Sequence, residues 1–113
     1  MNKEHAPALA MPGELVSAIS EDDIQLASRS LKAMGHPLRL KILCILAGTE
    51  EASVQDLVER VGTSQSNISQ HLSILREKSI LDSRKDANKV YYRISDVKVV
   101  HLMDAMKDAF CTH

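Results

Sequence analysis

Two residues of this chain carry reactive sulfur. Cys44 lies inside the apolar run "LKILCILAG", and Cys111 lies in "DAFCTH" near the other end of the chain. Two thiols can do together what neither does alone: one attacks an oxidant or an electrophilic sulfur, and the other resolves the adduct into an internal link. Each also has a plainer reading. A buried cysteine packs as a small hydrophobe, which suits the setting of Cys44. Cys111 fits that account less well, because a helix end does not require a thiol and an exposed one is a reactive liability. No C-x-x-C pair and no Gly-rich cofactor loop accompanies them. A thiol oxidoreductase is therefore not indicated, and no cofactor is expected.

The 113 residues suffice for one domain with a modest core. At 44% hydrophobic and 26% charged, the composition is that of a folded soluble protein. There is no Trp and one Phe, so the core must be built from Leu, Ile, Val, Ala and Met, which favours helices. No apolar run of membrane-spanning length occurs, and the N-terminus lacks a secretory pattern. The expected location is the cytosol, where two cysteines do not form a static disulfide by default. The net charge of -1 hides an uneven distribution. Residues 60–93 hold Arg60, Arg76, Lys78, Arg84, Lys85, Lys89 and Arg93 against Glu77, Asp82 and Asp86. Such a segment can present a positive face to a polyanion.

The elements that must position these groups are legible as follows. Residues 1–19, with Pro7, Pro12 and Gly13, read as a flexible arm. Ser20 is an N-cap for a helix from Glu21 to Met34 that stops at Gly35. Pro37 opens "PLRLKILCILA", a helix apolar nearly all round and hence central. "SVQDLVERVG" is short and amphipathic, capped by Ser53 and stopped by Gly62. A tight turn then leads into "SQSNISQHLSILREKSI", where Ile68, Leu72 and Leu75 recur at helical spacing. "ILDSRKDANKVYYRIS" shifts to strand alternation, with a hairpin tip near Asp86–Asn88. Ser95 is the expected cap of a last helix bearing Val99, Leu102, Met103, Met106 and Phe110. This order predicts a mostly α fold with a small β-hairpin, a winged helix-turn-helix domain over residues 20–113. The first and last helices carry apolar stripes left uncovered by that module, which predicts a homodimer formed through them.

The outward face of the second helix of the motif carries Ser64, Gln65, Ser66, Asn67, Ser69, Gln70 and Ser73. Gln and Asn can bond an adenine edge bidentately, and Ser can bond phosphate or base edges. An ordinary solvated helix face carries Glu and Lys instead. Ser64 also reads as a cap. His71 borders the apolar stripe and is included among the expected DNA contacts, although a packed structural histidine fits its position as well. Lys85, Asn88 and Lys89 form a hairpin tip suited to phosphate or minor-groove contact. Arg84 and Arg93 either serve phosphates or cover the sheet. The expected partner is double-stranded promoter DNA.

"LKAMGHPLRLKILCIL", "SVQDLVERVGTSQSNISQHLSILREKSIL" and "RKDANKVYYRIS" together resemble the ArsR/SmtB family of bacterial winged-helix repressors over about residues 24 to 111. That resemblance implies a homodimer on an inverted repeat, released by an inducer. Metal sensing by the usual sites is not implied: "ASVQDL" stands where a C-x-C cluster would be, and the last helix offers only His101 and Asp104. The placement of Cys44 and Cys111 resembles the subgroup that senses persulfides, polysulfides and related oxidants. By that resemblance the two cysteines are the sensing dithiol, the inducer is a reactive sulfur species or oxidant, and the regulated genes serve sulfide and sulfur metabolism. The alternative is a metal- or metalloid-responsive repressor of the same fold, using Cys44, Cys111 and His113.

Overall fold

The apolar run that contains Cys44 becomes the helix around which the others assemble. The structure is a computed structural model that describes residues 17–111. Most of the expected arm, residues 1–16, lies outside the described residues, and so does His113. In chain order the elements are α1 (Glu21–Met34), α2 (Pro37–Ala47), β1 (Ala52–Ser53), α3 (Val54–Val61), α4 (Gln65–Glu77), β2 (Leu81–Asp86), β3 (Lys89–Ile94) and α5 (Val97–Phe110). α2 packs against α1, α3, α4, α5 and β3. Its Ile42, Leu43 and Leu46 join Leu57, Ile68, Leu72, Leu75, Ile80, Leu81, Val99 and Met103 in one buried cluster.

Local chemistry sets the helix boundaries. The Ser20 hydroxyl accepts from the Asp23 N–H at 3.1 Å. Ser53 and Asp56 form a reciprocal capping box, the hydroxyl accepting from the Asp56 N–H and the carboxylate from the Ser53 N–H. Ser64 accepts from the Asn67 N–H at 3.2 Å. Between α3 and α4 the chain turns at Gly62, whose φ of 80° is a left-handed conformation that a Cβ would strain. That turn lets two short helices fold back on each other as a helix-turn-helix.

Three local details add to or depart from the expectations. The cap of α2 is His36, whose Nδ1 accepts from the Leu38 N–H at 3.2 Å. The cap of α5 is Asp96 and not Ser95: the Asp96 carboxylate accepts from the Lys98 N–H at 2.9 Å. Ser95 is occupied elsewhere, its hydroxyl donating to the Ser79 carbonyl and its N–H to the Ile80 carbonyl. The hairpin also gains a third strand. β1 pairs antiparallel with β3, Ala52 opposite Tyr92, giving the order β1-β3-β2. β2 and β3 pair from Leu81 opposite Ile94 to Asp86 opposite Lys89, which leaves a two-residue tip of Ala87 and Asn88, as expected.

Leu72 is fully buried where α4 meets the core. Leu72→Ala is expected to lower stability by about 3 kcal/mol. Urea unfolding followed by circular dichroism measures this, and a loss below about 1 kcal/mol would contradict the packing described.

Candidate functional site

Two surfaces gather the residues that can do chemistry. The first is the outer side of α4 with the hairpin. Ser64, Gln65, Ser66, Gln70 and Ser73 are exposed, and Asn67 and Ser69 are half-buried. Asn67 is held in place: its Nδ2 donates to the Thr63 hydroxyl at 3.2 Å. At the hairpin tip Lys85, Asn88 and Lys89 are exposed. A cleft of about 260 Å³ brings Gln65, at the start of α4, together with Asn88 and Lys89. Gln55 of α3 lines the same cleft and was not singled out by sequence, because its place beside the hairpin is set only by the fold.

The two arginines of the hairpin are engaged within the sheet. Arg84 forms a two-pronged ion pair with Glu51, and its guanidinium lies over the Tyr91 ring at 4.6 Å. Arg93 pairs with Asp82 at 3.6 Å. They cover the sheet, and the cations open to a polyanion at the tip are Lys85 and Lys89.

His71 is a correction. It does not share the outward face with Gln70, being 8% exposed with its ring 4.5 Å from that of His36. The spacing explains this: Ile68, His71, Leu72 and Leu75 form one stripe, and the histidine is its edge. Its Nδ1 is buried without a hydrogen-bond partner. Burial first, then the neighbouring His36 and Arg39, hold its imidazole below the usual histidine range.

The second surface is the thiol site. A cavity of about 720 Å³ opens between α2 and α5, and both cysteines line it. The two helices contribute matched sets. Leu40, Lys41, Cys44 and Ile45 come from α2, and Met106, Lys107 and Phe110 from α5, with Cys111 following. Positions one turn apart lie on one side of a helix, so each set is a single face turned toward the other. Arg60, in the last turn of α3, completes the wall. Cys44 is half-buried and Cys111, the C-cap of α5, is exposed. Burial pushes the Cys44 thiol up from its ordinary value, and the nearby Lys107 ammonium opposes that rise. The cationic side chains here were also missed in the sequence, since they come from three separate elements. Among the described residues no group of three His, Cys, Asp or Glu is placed to hold a metal ion.

A further groove of about 370 Å³ runs between α1 and α5, lined by Ile19, Leu26, Ala27, Val99 and Leu102. His101 also borders it, and Lys98 pairs with Asp23 across its edge at 2.7 Å. Leu31 and Val97, large apolar residues on the same two helices, are exposed.

A helix-turn-helix with a polar outer face, flanked by a hairpin with a basic tip, is the architecture of a winged-helix DNA-binding protein. Comparison with known proteins gives the family. Residues 36–83 match the family described as bacterial regulatory protein, arsR family. The transcriptional regulator YgaV of Escherichia coli is 39% identical over 85 residues, which span 75% of this chain and 86% of that protein. The structure of HlyU from Vibrio cholerae superposes with a TM-score of 0.74 at 35% identity, covering 83% of this chain and 100% of that one. The repressor BigR of Xylella fastidiosa gives 0.72 at 30% identity, covering 84% and 100%. The chain belongs to the ArsR family of DNA-binding transcriptional regulators.

The state of His71 has a consequence for pH. Its folded value lies below its unfolded one, so the unfolded chain binds a proton that the folded chain excludes. Stability from this group is complete above the ordinary histidine range and is lost as pH falls through that range toward the lowered folded value. His71→Leu is expected to flatten that dependence. Urea midpoints across this range measure it, and parallel slopes in the two proteins would contradict the assignment.

Proposed function

We propose that this chain is a homodimeric repressor that reads an inverted repeat in promoter DNA and lets go when a reactive sulfur species or oxidant links Cys44 to Cys111. The genes it controls are, on this reading, those of sulfide and sulfur metabolism. The observation that carries the proposal is the shared cavity: two cysteines far apart in sequence line one opening between two helices. The dimer is supported by the apolar groove between α1 and α5 and by the exposed Leu31 of α1 and Val97 of α5. Recognition is assigned to Gln65, Ser66 and Gln70 at the base edges, with Asn67, Ser64 and Ser69 on the same face. Lys85, Asn88 and Lys89 serve the phosphates or the minor groove.

The route from thiol to DNA is short. α2 carries Cys44 and packs directly against α4, and α5 carries Cys111 at its end and borders the proposed dimer groove. A covalent link between α2 and α5 fixes the recognition helix relative to the two-fold axis. Two recognition helices must sit about 34 Å apart to enter successive major grooves. A link that favours another spacing by about 1–3 kcal/mol weakens binding roughly 5- to 150-fold.

Cys44→Ser and Cys111→Ser are each expected to bind operator DNA as the reduced wild type does, and to stay bound after treatment with inorganic polysulfide. Release of either variant to the wild-type extent would contradict the dithiol mechanism. Gln65→Ala is expected to cost about 1–3 kcal/mol at the operator and less at unrelated DNA. Lys89→Ala is expected to lower the slope of log affinity against log salt by about 1 at all sequences. Titration by fluorescence anisotropy measures both, and an unchanged salt slope would remove the hairpin from the interface.

A further inference from the structure

We infer that Lys41, Arg60 and Lys107 make the thiol cavity a charge filter, so that it takes up sulfur donors whose reactive chain is anionic ahead of neutral oxidants. This rests on the dithiol reading above and adds a selectivity to it. Three cationic residues line the cavity, and among the described residues no Asp or Glu does. None of the three is paired with a carboxylate among the described residues. In a chain whose formal net charge is -1, that is a local concentration of positive charge. The remaining wall is apolar, from Leu40, Ile45, Met106 and Phe110. Low-dielectric walls focus the field of the cations into the opening. Methionine and phenylalanine also suit a soft, polarisable sulfur chain.

Placement follows from helix geometry. Lys107 lies one turn before Cys111, and Lys41 is on the α2 face that holds Cys44. A negatively charged sulfur chain drawn between them meets both thiols. The exposed Cys111 thiolate attacks a sulfane sulfur of the donor, forming an S–S bond and expelling the shortened donor anion. Cys111 then carries a persulfide anion. The Cys44 thiol attacks the sulfur bonded to Cys111, its proton leaves with the departing sulfur as hydrosulfide, and a disulfide remains. The two cysteines lose two electrons and the sulfane sulfur gains them. A donor that transfers a longer chain leaves extra sulfur atoms in the bridge by the same exchange.

The shared chemistry of the inducer is an anionic sulfane-sulfur terminus. It has two sources: inorganic polysulfide, and the persulfide of a carboxylate-bearing thiol such as glutathione. The test compares rates of Cys44–Cys111 link formation, read by intact mass, for inorganic tetrasulfide, glutathione persulfide and hydrogen peroxide. Wild type is set against a triple variant, Lys41→Gln, Arg60→Gln and Lys107→Gln. Peroxide is the neutral control: losing Lys107 alters the Cys44 thiolate population equally for every reagent, so the ratio of rates isolates charge selection. The tetrasulfide-to-peroxide ratio is expected to fall about tenfold in the variant. In the wild type it is expected to fall as salt shortens the screening length from about 10 Å to about 3 Å. Lys41→Arg with Lys107→Arg should keep the wild-type ratio.

A matching fall for glutathione persulfide supports both sources. A fall for tetrasulfide alone supports the filter and assigns it to inorganic polysulfide. An unchanged ratio in both the variant and the salt series, with the link still forming, overturns the filter and leaves the switch standing. Absence of the link with every reagent overturns both. The wild-type salt series decides the matter even if the triple variant does not fold.

Discussion

The burial of α2 is the constraint on which the rest of the molecule depends. Ile42, Leu43 and Leu46 are withdrawn from solvent almost completely, and every other described helix, together with β3, takes its position from that core. Each such side chain contributes about 1.5–3 kcal/mol relative to exposure, so α2 cannot be shifted alone without cost. Its one half-open side holds Cys44. A chemical event there acts on the element that touches the recognition helix, the helix before it and the last helix at once. A buried hub with a single reactive flank is a sound place for a sensor, because interiors are densely packed and transmit strain instead of absorbing it.

The two faces of the chain use charge differently. At the hairpin, Arg84 and Arg93 are tied into the sheet by Glu51 and Asp82, which leaves Lys85 and Lys89 to meet phosphate. At the thiol cavity three cations line an opening with no Asp or Glu among its described lining residues. Both arrangements fall within a chain that is nearly neutral overall, so the sum of charges hides them. The Asp23–Lys98 pair joins α1 to α5 at the apolar groove. The thiol cavity and the apolar groove thus share α5, the cavity at its C-terminal end and the groove at its N-terminal end.

Much of this was legible in the residues. Ser20, Ser53 and Ser64 each stand before a helix and accept from an N–H three residues on, so the caps located three helix starts. Gly62 marked the turn of the motif, and "KDANK" marked the hairpin tip. What was not legible depended on tertiary contacts. β1 is two residues long and exists because Tyr91 and Tyr92 of β3 offer it a partner. Asp96 took the cap expected of Ser95 because Ser95 is drawn to Ser79 and Ile80. His71 carried two readings, a DNA contact and a packed histidine, and its spacing from Ile68 and Leu75 on the inner stripe goes with the packed one. The cationic wall of the thiol cavity comes from α2, α3 and α5, and no local pattern joins Lys41, Arg60 and Lys107.

On the proposed reading, a Cys44–Cys111 link weakens operator binding without abolishing it. The direct measurement is the affinity of one operator fragment at one salt concentration for two preparations: the fully reduced protein, and protein whose link has been formed and verified by mass. The account predicts affinity lower by about 5- to 150-fold in the linked protein, restored when the link is reduced. Equal affinity for the two preparations would return Cys44 to a packing role and separate the thiol cavity from control of DNA binding.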